Sequence, residues 1–173
     1  MNPDEVQIRA MKLSDVEAVA KTFCFPWSNQ VETNAKWTFY AAEHEQKIRT
    51  VYLIEKQNRL IGYGSLLRFS EYSHFRDAHI PEIHDVWIAE EFRHHGYGKL
   101  LILHLEKVAQ AEKYKQIGLG VGLYRDYGPA QILYTKLGYV PDGHGVTYKD
   151  VPITPGGAYP VDDELILWLT KPI

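Results

Sequence analysis

Apolar and polar positions alternate in some stretches of the chain and recur at helical spacing in others. Val6-Gln7-Ile8-Arg9-Ala10 alternates as a half-buried strand does. Ser14 with Glu17 three residues later forms a capping box, which predicts a helix running to about Phe23. Phe25-Pro26-Trp27-Ser28 interrupts the pattern, and residues 31–46 can form a second helix. Residues 51–54 and 60–69 read as strands joined through a turn at Gln57-Asn58, a hairpin. Residues 70–80 are polar and histidine-rich, and residues 83–88 return to a strand pattern.

The second half keeps switching between the two periods. Residues 96–113 give the clearest helix: Leu100, Leu101, Leu103, Leu105 and Val108 share one broad stripe, with Lys99, Glu106, Lys107 and Lys113 mostly off it. A glycine-bearing strand follows at 117–123. The short helix at 130–137 is ended by Gly138, a residue suited to the left-handed position after a helix. Residues 139–140, 146–148 and 165–169 supply the last strands, and the Pro- and Gly-rich stretch 151–163 reads as a surface loop. A strand–helix–strand–helix–strand run calls for a crossover connection, so an α/β (α+β) chain with a mixed sheet is predicted.

Composition narrows the function classes. At 173 residues the chain fits one domain, 1–173, and its 45% apolar and 24% charged content excludes a disordered or fibrous chain. A net charge of −3 gives no general attraction to nucleic acid or to an anionic membrane, although protonating all eight histidines would take −3 to +5. The single cysteine, Cys24, allows no internal disulfide and no thiol cluster for zinc. No apolar run approaches the ~20 residues of a membrane span, and the start lacks the build of a signal peptide, so a soluble, cytoplasmic protein is expected.

The chemistry concentrates where the strand at 83–88 passes into the helix at 96–113, through Arg93-His94-His95-Gly96-Tyr97-Gly98-Lys99. A helix start presents backbone N–H groups that have no partner inside the helix, and glycines let an anion approach them closely. Several direct bonds to a charged oxygen, at roughly 1.5–3 kcal/mol each, outweigh the ~0.3–1 kcal/mol of the helix dipole. Arg93 and Lys99 add positive charge, so a diphosphate cradle is predicted. The segment is neither a P-loop, lacking Gly-Lys-Ser/Thr, nor a dinucleotide fingerprint, which needs glycine where Leu101 stands.

The string Arg-x-x-Gly-x-Gly after an apolar strand resembles motif A of the GNAT N-acetyltransferase superfamily. About thirty residues on, Ala130-Gln131-Ile132-Leu133-Tyr134-Thr135-Lys136-Leu137-Gly138-Tyr139 resembles that family's second signature. The resemblance covers roughly residues 82–140. It implies a mixed, mostly antiparallel central sheet flanked by helices, and acetyl-CoA as co-substrate with an amine acceptor, small molecule or peptide. It implies no metal, and it leaves a homodimer open. Val86, Trp87 and Ile88 match the strand that pairs with the pantetheine arm, with the Val86 or Ile88 amide polarising the thioester carbonyl. Arg93, His94, His95, Gly96, Tyr97, Gly98 and Lys99 match the pyrophosphate loop. Tyr134 matches the tyrosine that protonates the leaving thiolate. Tyr127 stands where many members have Asn, so either cofactor packing or space filling is open to it.

An attacking amine must be neutral, and a lysine-like amine costs roughly 4.6 kcal/mol to deprotonate at pH 7. Glu82 occupies the place of the catalytic glutamate of the histone-acetylating branch. Along a regular strand Glu82 lies ~13 Å from Val86 and His84 ~7 Å, so Glu82 needs a water or a strand distortion while His84 needs less reach. Asp85 points the other way in a regular strand. His74, His79, His94 and His95 fit no helical metal pair and read as solvated loop residues. Acceptor walls are implied at 25–37 and 144–163, where Phe25, Trp27, Trp37, Tyr148 and Tyr159 accompany Glu32, Asp150, Asp162 and Asp163, a composition suited to a cationic amine. Two rival classes stay open: an acyl-CoA-binding sensor or regulatory module without turnover, and a phosphate binder unrelated to acyl transfer, against which the second motif argues.

Overall fold

The structure is a computed structural model that describes residues 6–26 and 28–173. The elements run β1 (Val6–Ala10), α1 (Val16–Thr22), α2 (Gln30–Glu45), β2 (Arg49–Lys56), β3 (Arg59–Leu67), α3 (Ser73–Asp77), β4 (Glu82–Ile88), α4 (Tyr97–Ala111), β5 (Gln116–Gly122), α5 (Gly128–Lys136), β6 (Val140–Tyr148), β7 (Val151–Pro152) and β8 (Leu165–Pro172). Strand order is β1-β2-β3-β4-β5-β8-β6-β7. β1 with β2, β2 with β3, β5 with β8, and β6 with β7 and β8 pair antiparallel, while β4 with β5 is parallel as the intervening crossover through α4 demands. This is the mixed, mostly antiparallel sheet with flanking helices that the sequence predicts. No described helix is long and apolar enough to cross a membrane.

Two compact units divide the chain, the first comprising residues up to Leu67 with Asp85–Leu105, the second Arg68–His84 with Glu106–Ile173. In the first, β1, β2 and β3 form a meander whose β2–β3 turn sets Gln57 and Asn58 at φ 51° and 59°. Its core joins Met11, Val19, Ala20, Phe23, Trp37 and Tyr40 from the helical side to Val51, Leu53 and Tyr63 of the strands. The buried guanidinium of Arg49 on β2 is satisfied by Glu43 of α2 at 2.7 Å and Ser65 of β3 at 2.9 Å. The predicted Ser14–Glu17 box does not open α1. A 3-10 turn at Leu13–Asp15 leads into it instead, closed by Asp15, which accepts the Lys12 N–H at 2.7 Å and an Arg9 pair at 2.7 and 3.0 Å.

In the second unit β8 pairs with β5 over seven registers, Gln116↔Pro172 to Gly122↔Ile166, and with β6 on its other side. The polar stretch after β3 contains α3, which buries Phe75 beside Tyr72, Ile80 and Trp168. A Cβ on Gly118 would collide with the Phe75 ring, so that glycine fixes how closely α3 approaches β5. The two short strands predicted around 139–148 are one strand, β6, with a break in register between Pro141 and Val146.

Candidate functional site

Beyond β4 the chain makes a 3-10 turn at Glu90–Phe92, pinned to β3 by the Ala89 N–H donating to Ile61 O at 2.8 Å. His94 and Gly96 then take left-handed conformations, φ 63° and 84°, and reverse the chain into α4. The first bond of α4 runs from the Leu100 N–H to Gly96 O at 3.0 Å. The N–H groups of Tyr97, Gly98 and Lys99 therefore have no acceptor within the helix. A Cβ on Gly96 would meet nothing within 4 Å, so the flank of the turn at that residue is open. Arg93 is anchored, its Nε donating to Ile88 O at 3.0 Å, while His94, His95 and Lys99 are exposed. His95 Nδ1 lies 2.7 Å from Arg93 O. The structure adds a cation that the sequence did not reveal: Lys56, from β2, donates to Tyr97 Oη at 3.0 Å. Such an arrangement can hold a multiply charged anion.

Upstream in the same unit, Val86, Trp87 and Ile88 are half-buried. Asp85, at φ 53°, breaks the regular alternation of β4 on which the sequence reading of its direction rested. Its carboxylate accepts from Tyr40 Oη at 3.1 Å and Tyr63 Oη at 3.3 Å, and pairs with Lys36 Nζ at 2.6 Å. The Lys36 ammonium lies 5.3–5.4 Å from the ring centroids of Trp37, Tyr40 and Tyr63. Burial, and then the Asp85 charge, push both tyrosines well above the usual phenol range. An acid and aromatic rings around an ammonium is a cation site, here filled by the chain's own lysine. Spacing gave no hint of it, because its members come from α2, β3 and β4.

The other predicted residues stand in the second unit. Glu82 is 4% exposed and accepts from Ser70 Oγ at 2.5 Å, and Ser70 Oγ in turn accepts the Tyr72 N–H at 3.1 Å. His84 is half-buried. Tyr134 on α5 is 9% exposed, and burial pushes its hydroxyl up to about 12. Tyr127 lies with its ring against Gly122, where a Cβ would collide with it, and donates to Asp163 Oδ1 at 2.9 Å. The structure thus brings Val86–Ile88 together with the glycine turn in the first unit, and places Tyr127, Tyr134, Glu82 and His84 in the second.

Several side chains of the expected acceptor walls have structural duties. Trp37 is fully buried, and Glu32 closes a capping box with Asn29 at the start of α2. Asp162 accepts from Tyr148 Oη at 3.0 Å, and Asp163 from both Tyr124 and Tyr127. Tyr159 Oη accepts the Thr154 N–H at 2.8 Å. Burial pushes the Asp150 carboxyl up. Phe25 packs on Trp87 with ring centroids 4.9 Å apart, and Trp27 lies outside the described residues.

Comparison with known proteins fits this strand–turn–helix geometry. The sequence profile of the Acetyltransferase (GNAT) family matches residues 16–139. A search of curated proteins by sequence returns no match. Among solved structures, the chain is similar to the ribosomal-protein-alanine N-acetyltransferase from Brucella melitensis, at 21% identity and a TM-score of 0.67, over 96% of this chain and 99% of that one. It is also similar to the spermidine/spermine N-acetyltransferase SpeG from Vibrio cholerae, at 19% identity and a TM-score of 0.66, over 97% and 92%. A third is the PaiA N-acetyltransferase from Thermoplasma acidophilum, solved with coenzyme A, at 14% identity and a TM-score of 0.65, over 98% and 99%. These identities speak for the fold, and the profile match covers well over half the chain. The chain belongs to the GNAT acetyltransferase family.

Proposed function

We propose that residues 1–173 form a single acetyl-CoA-dependent N-acetyltransferase domain in which a primary amine attacks the thioester directly. The observation that carries this reading is the turn into α4, where three helix-start amides lack a partner within the helix beside Arg93, Lys99 and an unobstructed Gly96. The diphosphate of acetyl-CoA binds there, and the pantetheine arm runs along Val86–Ile88, whose backbone polarises the carbonyl. The amine nitrogen bonds to the acetyl carbon, the C–S bond breaks with its electron pair going to sulfur, and the amine loses a proton to a base. Glu82 and His84 are the candidates carried from the sequence. Asp85, the remaining acid of β4, is already occupied by Lys36 Nζ at 2.6 Å. Tyr134 donates to the departing sulfur. With its pKa near 12 against ~8.5 for a free thiol, it stabilises the thiolate first by hydrogen bonding rather than by complete proton transfer. The acceptor is a small molecule or a peptide amine.

The test is thermal shift with acetyl-CoA, CoA and ATP, followed by thiol release across a panel of amines. Stabilisation by acetyl-CoA and CoA but not ATP, with turnover of at least one amine, is expected. Equal stabilisation by ATP would remove the assignment. Binding without turnover across the panel would favour the acyl-CoA sensor instead.

A further inference from the structure

The register break in β6 carries a short sequence, Asp142-Gly143-His144-Gly145, to which the acyl-transfer reading gives no step. Gly143 and Gly145 are left-handed, at φ 89° and 82°, so His144 sits on a backbone bulge between two residues that only glycine suits well. Its ring faces that of His74, from α3, with centroids 3.7 Å apart and planes tilted by 36°. One donor atom from each of His74, Asp142 and His144 lies within 4.8 Å of the others.

The aspartate is built in. Its side chain is 1% exposed, Oδ2 accepts from Tyr72 Oη at 2.8 Å, and Oδ1 accepts the His144 N–H at 2.9 Å. Tyr72 is itself immobilised, stacked on Trp168 at 4.3 Å with planes 4° apart, and Trp168 Nε1 donates to Thr147 Oγ1 at 2.8 Å. A carboxylate oriented by a hydroxyl from the next layer is how protein metal ligands are held. A simple ion pair accounts for His144 beside Asp142, at 3.6 Å, but not for a second imidazole stacked against the first. Two imidazoles beside a carboxylate form a donor set for a borderline cation.

We propose that His74, Asp142 and His144 bind one divalent transition-metal ion of the zinc type through two imidazole nitrogens and one carboxylate oxygen. Imidazole donors select against magnesium and calcium. Tetrahedral bonding places donors ~3.3 Å apart, so the three side chains close in by ~1.5 Å on binding. His144 is 50% exposed, which leaves the remaining coordination to water. The ion ties α3 to β6, two segments brought together from seventy residues apart in the chain.

The experiment takes the full chain stripped with EDTA and titrates it with Zn²⁺ by calorimetry and with Co²⁺ by visible absorption. One ion per chain at micromolar affinity or tighter is expected, with a melting temperature raised by ~5–10 °C at saturating Zn²⁺. His74→Ala and His144→Ala should each weaken binding by more than ~100-fold, and Tyr72→Phe by ~10-fold through lost orientation of Asp142. His79→Asn, outside the cluster, should bind as wild type. His144 is exposed enough for its variant to fold, which circular dichroism checks. Wild-type affinity in His144→Ala, or no one-to-one binding in the parent chain, overturns the site.

Discussion

Gly96 offers a direct way to separate charge from shape at the start of α4. Its φ of 84° penalises any β-carbon by ~1–2 kcal/mol, but the space around it is open, so a small side chain meets no clash. Asparagine tolerates this conformation better than most residues and matches aspartate in size. Gly96→Asn should therefore keep coenzyme A affinity within about fivefold of wild type. Gly96→Asp puts a carboxylate among the amides that would face the diphosphate. At ~6 Å and an effective dielectric of ~40, each phosphate charge is repelled by ~1.4 kcal/mol, and two give ~2.8 kcal/mol or ~100-fold. Calorimetric titration with CoA at low salt measures the gap between the two variants. Raising salt to ~1 M, where the screening length is ~3 Å, should close most of it. Equal affinities for the Asn and Asp variants at low salt would show that no anion binds against these amides.

Tyr134→Phe should lower turnover by ~10²-fold or more with little change in acetyl-CoA affinity, read from steady-state thiol release; wild-type rates would assign the acid elsewhere. Because burial raises the Tyr134 pKa to about 12, its contribution to stability is intact below ~pH 10 and lost as pH rises through 12. The Phe variant should accordingly show a shallower alkaline loss of stability in denaturant titrations. The Arg9 guanidinium holds Asp15 below the usual carboxylate range, so its stabilisation is present above ~pH 4 and disappears as pH falls through the folded value. Asp15→Asn should be destabilised by ~1 kcal/mol at pH 7, through the lost charge pair with Arg9, with the difference shrinking in acid. Gly118→Ala drives a methyl into the Phe75 ring and should cost ~1–3 kcal/mol in urea unfolding; an unchanged midpoint would mean that α3 does not rest on β5 as described.

What the sequence revealed was what local chemistry determines. The helix α4, the Gln57-Asn58 turn and Gly138 after α5 all appear where their patterns put them, but the buried face of α4 is Leu101, Ile102, Leu105 and Ala109, with Leu100 exposed and Glu106 buried against Lys171 at 2.8 Å. So does the turn from β4 into α4, because two glycines and a helix start lie within one short stretch. Features made by distant partners were hidden. Asp85 adopts a left-handed conformation within a strand while held by Tyr40, Tyr63 and Lys36, none of them its neighbour in sequence. The helix α3 was masked because only Phe75 among its residues is buried. β6 read as two pieces because Pro141, Gly143 and Gly145 disguise its middle, and His74 gave no metal signal because its counterpart lies far along the chain.

A crystal structure of the CoA complex measures directly where coenzyme A sits. It should place the diphosphate within hydrogen-bonding distance of the Tyr97, Gly98 and Lys99 amides, with the pantetheine arm alongside Val86–Ile88. Coenzyme A bound elsewhere, with those amides facing only solvent, would contradict it.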